Sequence, residues 1–237
     1  MAWVTNVYRI SCGRFAHVAV LIAALALPSC AKRFGGAWPF GEDQTALLKK
    51  YGPVPVQRIE TMQDRAQKLA KASAVEQEAF AAELARQMPN ETDVNVRLAI
   101  IDVLGHLDTP SAHAVLYAGL KDPEIDVRVT CCEAWAHQPS AESTRMLAET
   151  LSGDTDLDVR MAAAKGLASA NDKDAVKALG LALEDSDPAI QLVAMNSMRQ
   201  VTGKDLGNDV NAWRTLAKQP DPPVHDKAIA SRFWKIF

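Results

Sequence analysis

The sequence predicts an all-α solenoid, a right-handed α-α superhelix of about four stacked helix pairs, and three observations carry that expectation. A Val-Arg or Ile-Gln pair recurs at 96–97, 127–128, 159–160 and 190–191, so the anchors Arg97, Arg128, Arg160 and Gln191 are spaced by 31, 32 and 31 residues. A fixed period of this size marks units that cannot bury their apolar face alone and must stack to make a continuous core. Acids recur at fixed offsets, six residues before each anchor (Glu91, Asp122, Asp154, Asp185) and four before it (Asp93, Glu124, Asp156, Asp187). Aromatic residues make up only 6% of the chain, which suits alanine-rich helix packing better than packed sheets.

With 237 residues, 48% of them apolar, the chain can bury a substantial core in one elongated domain. The net charge is −3, and residues 1–29 hold Arg9 and Arg14 with no acid, so the remainder carries −3 − 2 = −5. Phosphate binding needs a basic face, and nucleic acid is therefore not an expected partner. The four cysteines, at 12, 30, 131 and 132, do not form the spacing of a disulfide framework.

Taken in order, the chain opens on an address. Arg9 and Arg14 precede an apolar run from Ala16 to Leu27, broken only by His17 and closed by Leu27-Pro28-Ser29-Cys30. A basic start, a short apolar core and small residues at the end read as a secretory signal over residues 1–29, too short to span a bilayer comfortably. The closing four residues resemble the lipobox of bacterial lipoproteins. That resemblance implies that Cys30 is lipidated, becomes the mature N-terminus and anchors the protein to a membrane of the cell envelope, facing the periplasm or the exterior. Simple cleavage with a free Cys30 and an uncleaved anchor are the alternatives. Residues 30–42, with Gly35, Gly36, Pro39 and Gly41, read as a tether.

Residues 43–73 read as an N-terminal helical cap outside the period: a helix from Asp43 to about Lys50, a stop at Tyr51-Gly52-Pro53-Val54-Pro55, and a helix from Gln57 to about Ala72. The repeats occupy 74–201. Their A helices are expected at Ala74–Met88, Ser111–Leu120, Glu142–Leu151 and Asp174–Leu183, and their B helices begin near Asp93, Glu124, Asp156 and Asp187, where an acidic N-cap satisfies free amides and suits the helix dipole. Asp154-x-Asp156-x-Asp158 imitates the start of a calcium loop, but Val159 and Lys165 stand where that loop needs Gly and Glu.

The acidic turn, the Val-Arg pairs and the small runs after them, Leu98-Ala99-Ile100-Ile101 or Met161-Ala162-Ala163-Ala164, resemble short HEAT repeats of the kind also found in phycobilin lyases, within the HEAT/armadillo class. The resemblance implies that Arg97, Arg128 and Arg160 bond to acids of the neighbouring turn and form a ladder along the stack, ending where Gln191 replaces the arginine. For function the resemblance is barely specific.

After Val201, the two glycines Gly203 and Gly207 read as a loop. A helix from about Asp209 to Lys218 follows, and its Trp213 can cover the end of the last repeat, so residues 202–218 form a C-terminal loop and cap. Pro220-Asp221-Pro222-Pro223 opens a tail over 219–237. There Phe233 and Phe237 share a helical face beside Lys227, Arg232 and Lys235, a pattern that suits docking on a groove or a membrane surface, with packing back on the protein and disorder as the other readings.

The B helices carry a polar stripe two, five and nine residues after each anchor, positions that share one face. It brings Asp102/His106 and Glu133/His137 onto adjacent helices as candidate binding residues of the concave face. Two acids and two histidines at such spacing suit a transition metal, but acid and His four apart are also ordinary surface pairs. The reading therefore assigns no metal and no cofactor. Cys131 and Cys132 occupy positions that other repeats fill with Ile, Ala or Met and read as core. No catalytic constellation stands out. The expected function is a non-catalytic, membrane-tethered scaffold for a protein partner of unknown identity; the alternative, prompted by the repeat subtype alone, is a phycobilin-lyase-like enzyme or ligand-binding protein.

Overall fold

The computed structural model describes residues 52–225. The chain divides into two units, 1–52 and 53–237, and the elements below all lie in the second. The signal peptide, Cys30, the tether, the helix expected at Asp43–Lys50 and the tail beyond His225 lie outside the described residues.

Among the described residues every regular element is helical: α1 Pro55–Leu69, α2 Ala74–Gln87, α3 Val94–Leu104, α4 Pro110–Gly119, α5 Ile125–His137, α6 Ala141–Gly153, α7 Leu157–Leu167, α8 Lys173–Ala182, α9 Pro188–Thr202 and α10 Val210–Ala217, with a 3-10 turn at Met88–Asn90 after α2. They stack in two rows. Helices α1, α3, α5, α7 and α9 pack in sequence as row B, and on the other side α2 packs on α4 and α6, α8 and α10 pack in sequence as row A. This is the solenoid that the period predicts, and the A helices start within one residue of the expected positions. One placement differs in kind. Helix α1, read from sequence as a cap outside the repeat, packs on α3 just as α3 packs on α5, and so takes the place of a B helix.

The period exists because the same columns are buried in every repeat. The residue before each anchor, Val96, Val127, Val159 or Ile190, is buried, as are the residues three after it (Ile100, Cys131, Ala163, Ala194), four after it (Ile101, Cys132, Ala164, Met195) and seven after it (Leu104, Trp135, Leu167, Met198). Offsets of three, four and seven define one helical face, so each B helix offers the same stripe to the A row and to its neighbours. Cys131 and Cys132 are free and fully buried in these columns. Burial, reinforced by the neighbouring Asp154 carboxylate, pushes the Cys132 thiol up to about 12, while burial holds Cys131 well above the ordinary thiol range. Thiolate chemistry is suppressed in both. Close packing also fixes Gly119: a Cβ there would run into Cys131 Sγ and come within 3.1 Å of Ile101 Cδ1.

Helix starts follow the capping rules. Ser73 and Glu76 form a reciprocal capping box on α2, and Ser140 with Ser143 does the same on α6. Asp93, Asp156, Asp187 and Asp209 accept from the first amides of α3, α7, α9 and α10. Glu124 occupies the N-cap of α5, but its side chain makes no cap bond, because the extra methylene moves the carboxylate past the amides that a shorter Asp reaches. Two side-chain bonds join neighbours in row A: Glu78 of α2 accepts from Ser111 Oγ at 2.6 Å, and Thr144 of α6 donates to Asp172, the N-cap of α8, at 2.6 Å. At the far end, Gly203 has φ +65° and closes α9 in the left-handed conformation, one that suits glycine. Trp213 of α10 is fully buried and donates from Nε1 to Gly207 O at 2.9 Å.

Candidate functional site

Two features run the length of the array, an ion-pair ladder along the A-to-B turns and a polar face on row B. In the ladder, each acid six residues before an anchor accepts a backbone amide of its own turn: Glu91 from Asp93 at 3.0 Å, Asp122 from Glu124 at 2.9 Å, Asp154 from Asp156 at 2.9 Å and Asp185 from Asp187 at 2.8 Å. That bond orients the carboxylate toward the preceding repeat. Arg97 reaches Asp122 through Nε at 3.1 Å and Nη2 at 3.2 Å, and Arg128 reaches Asp154 through the same atoms at 2.8 and 3.2 Å. Each guanidinium also donates backward, Arg97 to Glu91 O and Arg128 to Asp122 O, so one side chain joins two successive turns. Arg160 keeps the backward bond to Asp154 O at 3.1 Å but stands 3.7 Å from Asp185. At Gln191 only the bond to Asp185 O remains, at 2.7 Å.

These rungs perturb the groups that make them. Burial raises the Asp154 carboxyl, but the Arg128 hydrogen bond and the Asp156 amide outweigh it and hold the group below the usual carboxylate range. The same bond, against a smaller cost of burial, raises the Arg128 guanidinium. Burial raises Glu91 too, and Arg58 together with the Asp93 amide more than offsets it. Arg58, on α1, pairs with Glu91, six before the next anchor as in every other rung. It is the first rung of the ladder, and the sequence reading missed it. Its distance to Arg97 is 39 residues rather than 31, and Gln57 precedes it in place of Val. The usable signal was the acid at 91, which already had its own arginine to find.

The row B face presents the residues that the stripe singled out. Asp102, His106, Glu133 and His137 are all exposed, and Lys165 and Asn196 continue the Asp102/Glu133 column on α7 and α9. His106, just beyond α3, and His137, the last residue of α5, stack with ring centroids 4.9 Å apart and planes 14° apart. Among the described residues no group of three or more His, Cys, Asp or Glu side chains is placed to hold a metal ion. Between α5 and α7 lies a depression of about 490 Å³, with Val129, Ala136 and Met161 in its lining and Glu133, His137, Asp158 and Lys165 among its polar residues.

A third histidine, which the sequence reading did not single out, organises the turn beside this face. His113 Nε2 lies 2.8 Å from Gln138 Oε1, its Nδ1 lies 3.3 Å from Glu142, and its ring is tilted against Trp135 at 5.3 Å. Gln138 Nε2 in turn donates to the carbonyls of Leu104, Gly105 and Leu107. It thereby closes the end of α3 across the repeat boundary.

The family model described as HEAT repeats matches residues 81–164 and again 144–231. The chain belongs to the HEAT-repeat family. The two matches together span 81–231, and they run through the rungs at Arg97, Arg128 and Arg160 and through the HEAT array's capping helix α10. No curated protein matches the sequence.

Proposed function

We propose that this HEAT array is a non-catalytic scaffold, held to a membrane through a lipidated Cys30 and receiving a protein partner on its row B face outside the cytoplasm. The observation that carries the reading is the register of that face. Asp102, Glu133, Lys165 and Asn196 stand exposed at one position of four consecutive B helices, while the buried columns behind them fix the helices. Such a surface is rigid and extended, and partner recognition on repeat arrays needs nothing more. The polar side chains along it supply specificity, and the shallow depression between α5 and α7 supplies a small apolar foothold. The tether rests on the sequence alone, on the apolar run that ends at Leu27-Pro28-Ser29-Cys30.

Two arms test the proposal. Metabolic labelling with an alkyne fatty acid tags the protein and leaves Cys30→Ala unlabelled and released from membranes; label on the Cys30→Ala variant refutes the tether. Affinity capture from detergent-solubilised membranes retrieves a stoichiometric partner that is lost with Asp102→Lys/Glu133→Lys and kept with Arg145→Glu on row A. Equal recovery from both variants refutes the assignment of the face.

A further inference from the structure

Row A has one open joint among the described residues: α4 and α6 lie farther apart than the other neighbours of the row. A column of side chains is the cause. Four and eight residues after their N-caps Ser73, Thr109, Ser140 and Asp172, the A helices carry Gln77 and Ala81, His113 and Tyr117, Thr144 and Ala148, and Val176 and Gly180. This column faces the next A helix, since Thr144 donates to Asp172 and a Cβ on Gly180 would run into Ala217 of α10. Alanine or glycine at the second position lets two helices approach, and α4 carries a phenol there instead. Tyr117 is 45% exposed and borders a cleft of about 630 Å³ between α4 and α6, whose lining includes Pro110, Ala114, Glu142 and Arg145. Behind the cleft row B is continuous through α3, α5 and α7. One layer is filled and the other is open at the same level, which is the arrangement of a hinge.

Among the described residues a single polar contact joins the two helices across the cleft, His113 Nδ1 to Glu142 at 3.3 Å. Its chemistry is set from the other ring nitrogen. Gln138 Nε2 donates to three backbone carbonyls, so its Oε1, 2.8 Å from His113 Nε2, is left to accept, and Nε2 carries the proton of the neutral ring. A neutral ring therefore turns the Nδ1 lone pair toward the Glu142 carboxylate. A second proton converts that contact into a charge-assisted hydrogen bond. The other charged or titratable groups around the ring are Asp108 of the α3–α4 turn, 3.3 Å from Nε2, and Arg145 of α6 and Tyr117 of α4 in the cleft. His106 and His137 border the adjoining hollow, and α5 contributes the uncharged Trp135.

We infer that His113 is a proton-operated clasp on a bending joint between α4 and α6. Protonated, it holds Glu142 and keeps the cleft narrow; neutral, it releases α6 from α4, and the two move apart about the continuous row B. The curvature of the array, and with it the spacing of Asp102 and Glu133 across the joint, follows the protonation of one side chain.

Electron–electron distance measurements read the joint in the full chain carrying Cys12→Ala and Cys30→Ala, with nitroxides at Ala118→Cys on α4 and Ser152→Cys on α6, both exposed positions. The pair Ser152→Cys and Lys177→Cys, on α6 and α8, is the reference. At about pH 5 the α4–α6 distances form a narrow distribution; at about pH 9, beyond the histidine range, they lengthen and spread, while the reference pair does not change. His113→Leu and Glu142→Ala each give the long, broad distribution at both pH values, and His106→Asn/His137→Asn leaves the response intact. A distribution that ignores pH overturns the proposal. So does a response that survives Glu142→Ala, or one abolished by His106→Asn/His137→Asn, which assigns the sensitivity to the stacked pair. Loss of helix by circular dichroism between the two pH values overturns it as well, because the clasp acts within a folded array.

Discussion

Replacing Arg128 by Met separates the ladder's energetic role from its visual regularity. Arg128 and Asp154 are 13% and 10% exposed as side chains and bond through two pairs of atoms, at 2.8 and 3.2 Å. Their gross attraction at an effective dielectric of 20 is about 6 kcal/mol, and desolvation of both ions offsets much of it. Met keeps the packing of the stem but leaves Asp154 with an amide partner and only the weaker pull of Arg160, and it leaves Asp122 O and Pro123 O without their donor. Breaking one side of a shielded pair of this kind costs about 3 kcal/mol. Arg160→Met is the internal control, since its pair is 3.7 Å apart and 20% and 26% exposed, and about 1 kcal/mol or less is expected there. Urea unfolding at pH 7, followed by circular dichroism, measures both. The sign with pH follows from Asp154, whose folded carboxyl is held low: its contribution is present above the unfolded carboxylate range and is lost as pH falls through the folded value. The gap between the two variants therefore closes in acid, as the pH falls below the ordinary carboxylate range. Equal losses for Arg128→Met and Arg160→Met at pH 7, or a gap that persists in acid, would falsify the assignment of the ladder as a set of unequal, shielded ion pairs.

Three further outcomes follow from the packing. Gly119→Ala forces Cys131 or Ile101 to shift in a filled layer and costs about 1–3 kcal/mol, a fall of several degrees in thermal midpoint by calorimetry; an unchanged midpoint shows slack that the structure does not have. Trp213→Ala removes the plug at the end of the array and costs about 3–5 kcal/mol, and because the loss is local, amide exchange in α8 and α9 accelerates more than in α3. Uniform acceleration argues against Trp213 acting as an end cap. Cys131 and Cys132, buried and with thiols held protonated, resist alkylation in the native protein at pH 8 and react once urea unfolds it; modification of the folded protein contradicts their placement.

The residues that sequence reading located well are those set by the repeat itself. Val127-Arg128 and its equivalents recur because each unit must present the same buried column and the same guanidinium to an identical neighbour, so one local rule is printed four times. The acids before each anchor were visible for the same reason, although their division of labour was not. Those at Asp93, Asp156 and Asp187 cap helices, those at Glu91, Asp122, Asp154 and Asp185 hold arginines, and Glu124 does not cap. Arg58 was hidden by an irregular interval. His113 was hidden by distance in sequence, because its partners Gln138 and Glu142 belong to the next repeat.

On its own, the sequence determined the helical class, the period, the anchors and the buried columns, since those are properties of spacing along one chain. The rotation and separation of neighbouring helices were decided by tertiary packing: they make α1 a B helix, bring Arg58 to Glu91, and stack His106 on His137. These depend on how side chains from different repeats fill a shared layer, and no single repeat contains that information.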